Sequence, residues 1–190
     1  MNLLSKSALR LELSISRSNR STSELGEIGE ALGSHDWAQI VHGTAVGCYA
    51  NTDEEPSTSV VRKKLNALGL DVYLPIIKDE SGLEWGRDCA PYQVNKFGIA
   101  EPTQSEITTA ELSSIIIPSL ATDIFGNRLG KGAGFYDRAL SMVPRFQAGG
   151  PLRIALVFDE EVLEHIPAEP HDQRVDLIVT PDRIIKISES

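Results

Sequence analysis

Compact apolar runs constrain the fold of this chain more than any other feature of its sequence. These runs are rich in β-branched residues and occupy positions 45–50, 71–77, 114–117, 153–158 and 176–180. Their length is typical of β-strands. Because they are nearly continuous in hydrophobicity instead of alternating, we expect burial on both faces, as in a parallel or mostly parallel sheet covered by helices. The sequence therefore predicts an α/β fold: a single-domain three-layer sandwich over residues 1–190 with a mostly parallel central sheet.

Helix signals lie between these runs. Ser5 is the expected N-cap of a first helix, and the segment Ser21-Thr-Ser-Glu24 has the form of a capping box that opens a second. Helical spacing of apolar residues covers 58–68 and stops at Gly69, which suits the position after a helix. The middle of the chain is less regular, and we expect a small β excursion within 84–98.

Composition and charge indicate a soluble globular protein. The hydrophobic fraction of 41% is ordinary for such proteins, and no apolar run approaches the ~20 residues that a membrane span needs. Lys6, Arg10 and Glu12 interrupt any apolar signal segment near the start. The net charge of −9 argues against a nucleic-acid partner. Cys48 and Cys89 are isolated, which favours reduced thiols. We therefore expect a cytoplasmic location and no membrane partner.

The segment from Asp123 to Arg138 carries the most chemical information. It follows an apolar run, precedes a helical pattern, and contains alternating glycines and three cations: Gly130, Gly132, Gly134, Arg128, Lys131 and Arg138. A strand, a glycine loop and a helix start in this order can hold phosphate on backbone N–H groups. The segment lacks the Walker A pattern and the dinucleotide fingerprint. Glycine spacing alone would suit a structural turn equally well, but the cations and Asp137 favour a phosphate site.

The ten residues Arg128-Leu-Gly-Lys-Gly-Ala-Gly-Phe-Tyr-Asp137 resemble the signature of the 5-formyltetrahydrofolate cyclo-ligases, also called methenyltetrahydrofolate synthetases. The resemblance extends over nearly the whole chain, in matching order and spacing, through Lys6-x-x-x-Arg10, Glu55-Pro56-x-Thr58, Gly98-Ile99-x-Glu101-Pro102 and His171-Asp172-x-x-x-Asp176. Thr122, Lys131 and Ala133 are departures or variable positions. The first could alter packing near the folate, and the other two could tune affinity.

The resemblance implies a fold like that of sugar-phosphate isomerases and CoA transferases. It also implies a protein that uses ATP and Mg²⁺ to close 5-formyltetrahydrofolate, with or without a polyglutamate tail, to 5,10-methenyltetrahydrofolate. We expect the chain to act as a monomer, although no sequence feature reports its oligomeric state. The residues implied for ATP are Lys6, Arg10, Arg128, Leu129, Gly130, Lys131, Gly132, Ala133, Gly134, Phe135 and Tyr136. Those implied for the folate are Ala50, Glu55, Lys131, Gly132, Ala133, Gly134 and Phe135. Asp137 and Asp172 are implied as Mg²⁺ ligands, since this ion prefers carboxylate oxygen.

Simpler interpretations stand beside these implied roles. Lys6 and Arg10 share one face of the first helix, and that face could simply be a solvent-exposed surface with no ligand. Asp123 and Asp176 suit either a structural role or a place near the metal. The histidines show no metal-binding spacing and receive no catalytic role. A different ATP-dependent kinase or ligase on the same scaffold, or a folate- or nucleotide-binding protein without turnover, are the alternative functions.

Overall fold

The computed structural model describes residues 5–78, 82–89 and 91–188. Its helices are α1 (Lys6–Ser18), α2 (Thr22–Ser34), α3 (Trp37–Ile40), α4 (Ser59–Ala67) and α5 (Phe135–Ser141). Its strands are β1 (Ala45–Gly47), β2 (Asp71–Lys78), β3 (Gly82–Arg87), β4 (Tyr92–Val94), β5 (Ala100–Pro102), β6 (Ser114–Pro118), β7 (Ala121–Asp123), β8 (Arg128–Leu129), β9 (Leu152–Leu156), β10 (Val162–Leu163), β11 (Leu177–Val179) and β12 (Ile184–Lys186). None of the described helices is long and apolar enough to cross a membrane.

The main sheet has seven strands in the order β12-β11-β9-β6-β1-β2-β3. The pairs from β11 across to β2 are all parallel, and only the two edge strands, β3 and β12, run antiparallel to their neighbours. Parallel strands joined through helices and flanked by antiparallel edges are common in α/β proteins. The predicted mixed α/β fold with a mostly parallel central sheet is confirmed.

Both faces of this sheet are buried, which explains why the apolar runs do not alternate. Ile116 on β6 packs with Trp37 and Leu65 from the helices on one face. Its neighbours Ile115 and Ile117 point to the opposite face and pack in the cluster that holds α5. Successive side chains of a strand point to opposite faces, so a strand between two helical layers is apolar throughout.

A second, three-stranded sheet, β10-β7-β8, was not anticipated from the sequence. Leu13 of α1 packs against it in a small cluster with Leu120, Leu129 and Ile166. Strands of two or three residues carry too little pattern to be recognised along the chain. This small sheet matters for the site because β8 leads directly into the glycine-rich segment, and α1 lies beside it.

The helix signals behave as predicted. Ser5 caps α1 by accepting a hydrogen bond from the N–H of Ala8 at 3.3 Å, and Ser21 and Glu24 form both halves of a capping box on α2. Gly69 follows α4 with φ 77°, the left-handed conformation that favours glycine. The middle of the chain contains more β-structure than predicted, because residues 82–87 join the main sheet as its edge strand β3.

Candidate active site

A cavity of about 470 Å³ opens at the carboxyl ends of the central parallel strands. Its wall is mostly apolar and includes the residues that follow three neighbouring strands: Tyr49 and Ala50 after β1, Ile77 near the end of β2, and Ser119 and Leu120 after β6. Parallel α/β sheets bind their ligands at this edge, where the strand ends and the following loops leave a crevice. We call this space the apolar cavity.

A second cavity of about 640 Å³ lies on the other side of the glycine-rich segment. Its wall is polar and contains cations from α1 and carboxylates from the chain after β10, including Lys6, Arg10, Glu169 and Asp172. We call this space the polar cavity. Cations and glycine backbone gathered in a protein of net charge −9 favour an anionic ligand here.

The two cavities share a wall. Arg128, Gly130, Ala133 and Asp137 line both of them. The glycine-rich segment from β8 to α5 therefore separates an apolar space from a polar one, with one buried guanidinium and one carboxylate facing both. A ligand in each cavity would meet its neighbour at this wall.

The glycine-rich segment adopts backbone conformations that only glycine takes easily. Gly132 has φ 106° and Gly134, the N-cap of α5, has φ 69°. Arg10 lies across the segment and donates from Nε to the carbonyl oxygen of Gly130 at 2.8 Å. The shape of the loop is therefore fixed by positive-φ glycines and by a contact from α1.

Charged side chains at the shared wall are paired with one another. The buried Arg128 donates from Nη2 to Asp137 Oδ1 at 2.7 Å, and the backbone N–H of Gln173 donates to the same oxygen at 3.0 Å. Asp137 Oδ2 accepts no hydrogen bond from the described part of the chain. One carboxylate oxygen thus orients Asp137, and the other is open to a ligand.

Lys6 and Asp172 form the tightest ion pair in the polar cavity. Lys6 Nζ lies 2.5 Å from Asp172 Oδ2 and 2.9 Å from Glu169 Oε2. Burial is the largest single influence and opposes ionisation of both groups, but the hydrogen bonds and Coulombic attractions from their neighbours together outweigh it, so the pKa of Lys6 is raised and that of Asp172 is lowered. His171 Nε2 lies 3.8 Å from Asp172 Oδ1, and Glu169, His171 and Asp172 offer three donor atoms within 4.8 Å of one another.

Glu55 lines the apolar cavity from the chain between β1 and α4. It is buried, and it accepts from the backbone N–H of Thr52 at 2.9 Å. Lys131 reaches over from the glycine-rich segment, with Nζ 3.0 Å from Glu55 Oε1. The carboxylate is therefore held in place, and its remaining lone pairs are available to a ligand.

The structure places the residues implied by the resemblance on both sides of the segment. Lys6, Arg10, Leu129, Gly132, Gly134 and Asp172 line the polar cavity, and Ala50, Glu55, Lys131, Phe135 and Tyr136 line the apolar one. Asp137 and Asp172, which are 35 residues apart in the chain, line the same polar cavity. Lys131, Phe135 and Tyr136 line the apolar cavity and not the polar one; the resemblance implied Lys131 and Phe135 for both ligands and Tyr136 for ATP.

Asp123 and Asp176 lie outside both cavities. Asp123 is buried and accepts hydrogen bonds from the backbone N–H groups of Asn127 and Ile166. Asp176 accepts from the N–H of Arg153 at 2.9 Å. These contacts give both aspartates a structural role. Thr122 is also buried and lines neither cavity.

Several wall residues were missed by the reasoning from sequence. Asn95 and Ser119 line the apolar cavity, and Glu169 and Gln173 line the polar one. Asn95 is positioned by the buried Glu101, whose Oε2 accepts from its Nδ2 at 3.1 Å. Ser119 had a usable signal: it is the second residue after the apolar run 114–117, where a sheet of this type presents its ligand-binding edge.

The fold is an α/β sandwich in which an apolar cavity and a polar cavity adjoin at the glycine-rich segment. The chain belongs to the 5-formyltetrahydrofolate cyclo-ligase family, whose model matches residues 3–181. Curated relatives that bear this enzyme's name show that the chain is an enzyme of this family, and they support 5-formyltetrahydrofolate cyclo-ligase activity.

Two of these relatives are bacterial. The 5-formyltetrahydrofolate cyclo-ligase of Mycolicibacterium smegmatis is 36% identical over 194 aligned positions, which cover 96% of this chain and 97% of that protein. The enzyme of the same name from Haemophilus influenzae is 29% identical, with 90% of this chain and 95% of that protein covered.

A solved structure supports the same assignment. The NMR structure of 5,10-methenyltetrahydrofolate synthetase from Aquifex aeolicus matches with a TM-score of 0.80 and 26% identity, covering 97% of this chain and 94% of that chain. The synthetase of Mycoplasma pneumoniae, at 17% identity and a TM-score of 0.71, shows the same fold.

Proposed function

We propose that this chain uses ATP to close 5-formyltetrahydrofolate to 5,10-methenyltetrahydrofolate, with release of ADP and phosphate. The observation that carries the proposal is the shared wall: Arg128, Gly130, Ala133 and Asp137 line both the apolar and the polar cavity. A folate in the first and a nucleotide in the second would meet at this wall. Holding two reactants in line supplies much of what phosphoryl transfer requires of a protein.

The folate is assigned to the apolar cavity. Its volume of about 470 Å³ and its apolar wall suit a flat ring system, and cavities of this kind bind with a few placed polar groups. Glu55 supplies a carboxylate that accepts from N–H groups of the pterin ring, with Ala50 and Phe135 beside it.

ATP is assigned to the polar cavity. Lys6 and Arg10 of α1 face the glycine-rich segment there, and backbone N–H groups of Gly130, Gly132 and Gly134 are the proposed phosphate donors. Arg128 is a largely buried part of the shared wall, where the γ-phosphoryl group would lie against the folate. Concentrated cations in this place neutralise the charge that develops during transfer.

The polar cavity also fits Mg²⁺. Carboxylate oxygens are the ligands that this ion prefers, and a nucleotide-bound Mg²⁺ needs only one or two of them. Asp137 Oδ2 accepts no hydrogen bond from the described residues, and Asp172 lines the same cavity. These two would hold the ion, with Lys6 released from Asp172, and Mg²⁺ would supply neutralisation of phosphate charge.

The proposed chemistry needs no side-chain nucleophile. The formyl oxygen attacks the γ-phosphorus, the bond to the bridging oxygen breaks, and ADP leaves, which gives an iminophosphate on the folate. N10 then attacks the formyl carbon, the C–O bond breaks with release of phosphate, and N10 loses its proton. The chain positions the two ligands, and Arg128 stabilises the transferring group.

The setting proposed for this reaction is the cytoplasm, with the chain acting as a monomer. Its partners are two small molecules, ATP and the folate, with polyglutamylated folates included. The net charge of −9 supports the absence of a nucleic-acid partner. Light scattering across a concentration series tests the monomer, and a second copy bound at working concentrations would refute it.

Absorbance measurement of methenyl product from 5-formyltetrahydrofolate tests the reaction. Product should form only when ATP and Mg²⁺ are both present, and ADP and phosphate should appear with it. Conversion without ATP would refute the proposal, as would no conversion with every component present.

Heavy oxygen in the formyl group tests the intermediate. After a single turnover, the label should be found in the released phosphate by mass analysis, because the formyl oxygen leaves bonded to phosphorus. Label only in water would mean that ATP does not phosphorylate the formyl oxygen.

A further inference from the structure

Two buried hydroxyl groups at the wall of the apolar cavity have no role in the reaction described above. Ser119 and Tyr136 both line this cavity, and neither lines the polar one. Ser119 Oγ and Tyr136 Oη are shielded from solvent and make no hydrogen bond with the described residues. Ser119 as a whole is 4% exposed. Buried hydroxyls usually have a partner, since leaving one unpaired costs free energy.

The backbone of Ser119 is held in place by the side chain of Arg17. Its carbonyl oxygen accepts from Arg17 Nη2 at 2.7 Å, and the fully buried Arg17 is itself held by two hydrogen bonds of 2.7 Å to Glu161. Ser119 also follows β6, a central strand of the main sheet, at the edge where ligands bind in such folds. The backbone at Ser119 is therefore held in place, while its hydroxyl has no hydrogen-bond partner among the described residues.

Tyr136 is held just as firmly. It lies in the first turn of α5, and its ring packs edge-on to the buried Trp85, with ring centroids 6.4 Å apart. The indole of Trp85 donates to Thr109 Oγ1 at 3.0 Å, so it does not serve the tyrosine hydroxyl. Burial, with smaller contributions from Cys48 and Glu55, raises the pKa of Tyr136 well above its ordinary value. The phenol is therefore neutral and available as a hydrogen-bond donor.

We propose that Ser119 and Tyr136 are specificity-determining residues that hydrogen-bond polar atoms of the pterin ring of the folate. This inference rests on the proposed placement of the folate in the apolar cavity. The reacting formyl oxygen must lie at the shared wall formed by Arg128, Gly130, Ala133 and Asp137. Ser119 and Tyr136 line the apolar side alone, so they lie beside the part of the ligand that does not react.

This assignment differs from that of Glu55, which accepts hydrogen bonds. A neutral phenol and a serine hydroxyl can donate to the ring carbonyl and ring nitrogens, which a carboxylate cannot do. A site built to pair both donors and acceptors of a ring rejects analogues that lack them. The two hydroxyls therefore recognise features that all reduced folates share, whatever group N5 carries.

Equilibrium titration of the full chain tests the proposal, with 5-formyltetrahydrofolate and 5-methyltetrahydrofolate as the probes. Tyr136→Phe and Ser119→Ala each remove one oxygen and little volume, so the fold is preserved. Each variant should bind both folates about three- to tenfold more weakly, the range expected for one neutral hydrogen bond. The double variant should show the product of the two losses, because separate ring atoms are contacted. Tyr92→Phe, whose hydroxyl donates to Asp88 outside both cavities, is the matched control and should bind as the unaltered protein does.

Binding of a non-hydrolysable ATP analogue should be unchanged in both variants. Unchanged folate affinity would overturn the proposal, and so would an equal loss of ATP affinity. A loss confined to 5-formyltetrahydrofolate would also overturn it, since the hydroxyls would then contact the formyl group. The titration is run without ATP, so a failed cyclisation assay and a failed folate-recognition test remain distinguishable.

Discussion

Lys131 Nζ lies 3.0 Å from Glu55 Oε1, so the glycine-rich segment is tied by an ion pair to the loop after β1. Glu55 is 8% exposed, and the same carboxylate accepts from the N–H of Thr52. The pair joins two segments that are proposed to contact the folate. It also neutralises a buried charge that would otherwise oppose binding in this acidic protein.

Glu55→Gln is expected to weaken folate binding and leave ATP binding nearly intact. The substitution keeps the shape of the side chain but removes its charge, so charge-assisted hydrogen bonds worth about 1.5–3 kcal/mol are lost. Separate equilibrium titrations of folate and ATP measure the two effects. An ATP defect as large as the folate defect would mean that Glu55 organises the nucleotide site.

Lys131→Met should act through Glu55. The substitution retains most of the apolar stem but leaves the Glu55 carboxylate without its cation. Folate affinity should fall in the otherwise unaltered protein and fall much less in a Glu55→Gln background, because residues in contact do not contribute additively. A double-mutant cycle on folate affinity measures this coupling, and equal effects in both backgrounds would contradict it.

Asp137→Asn and Asp172→Asn are each expected to raise the Mg²⁺ concentration needed for half-maximal activity. Both side chains line the polar cavity, and both are proposed to hold one ion. Their combined effect should be smaller than the sum of the single effects, since either loss already weakens the same site. Asp36→Asn, at an exposed position beside α3, is the control. Independent, fully additive losses would argue against a shared ion.

The Lys6–Asp172 ion pair should stabilise the protein at intermediate pH and should lose this effect at strongly acid and strongly alkaline pH. Burial is the largest single influence and opposes both charges, yet hydrogen bonds and Coulombic attraction together lower the pKa of Asp172 and raise that of Lys6 from their ordinary values. The carboxylate's contribution is complete above its ordinary pKa and is lost as the pH falls through the lowered one. The contribution of the ammonium is complete below its ordinary pKa and is lost as the pH rises through the raised one.

Lys6→Met should therefore lower Tm by a nearly constant amount from about pH 5 to about pH 10, with a smaller difference outside this window. Thermal unfolding followed by circular dichroism across the pH range gives the difference directly. Lys63→Met, on the exposed surface of α4, serves as the control. A difference that persists unchanged at strongly acid pH would show that the ion pair is not its source.

Glu161→Gln should destabilise the fold strongly, because it leaves the Arg17 guanidinium charged in a fully buried position. Both side chains are 1% exposed and are joined by two hydrogen bonds of 2.7 Å. Removing one partner of a buried pair costs about 3–5 kcal/mol. Its neighbour Glu160 is a matched control, since it is 62% exposed and its pair with Arg20 should be worth about 1 kcal/mol or less. Urea unfolding of the two variants measures the contrast, and similar losses would contradict it.

The sequence by itself determined the local structure of this protein. Ser5 caps α1, Ser21 and Glu24 cap α2, and Gly69 follows α4 as predicted, because these signals act through hydrogen bonds between residues a few positions apart. The continuous apolar runs determined the sheet, since only burial on both faces suits them. The glycine-rich segment was likewise recognisable from the sequence, because ten consecutive residues match a family signature.

Only the tertiary structure decided which side of that segment each residue faces. Lys6 meets Asp172 across 166 positions and Arg17 meets Glu161 across 144, and no local pattern records such pairs. Tyr136 follows the last glycines of a phosphate-type loop, yet its hydroxyl is buried at the apolar cavity, because the turn into α5 points it toward Trp85. Side-chain direction there depends on how α5 packs on the sheet. That packing arises from contacts between distant parts of the chain, whose free energy is set by burial and not by neighbouring residues.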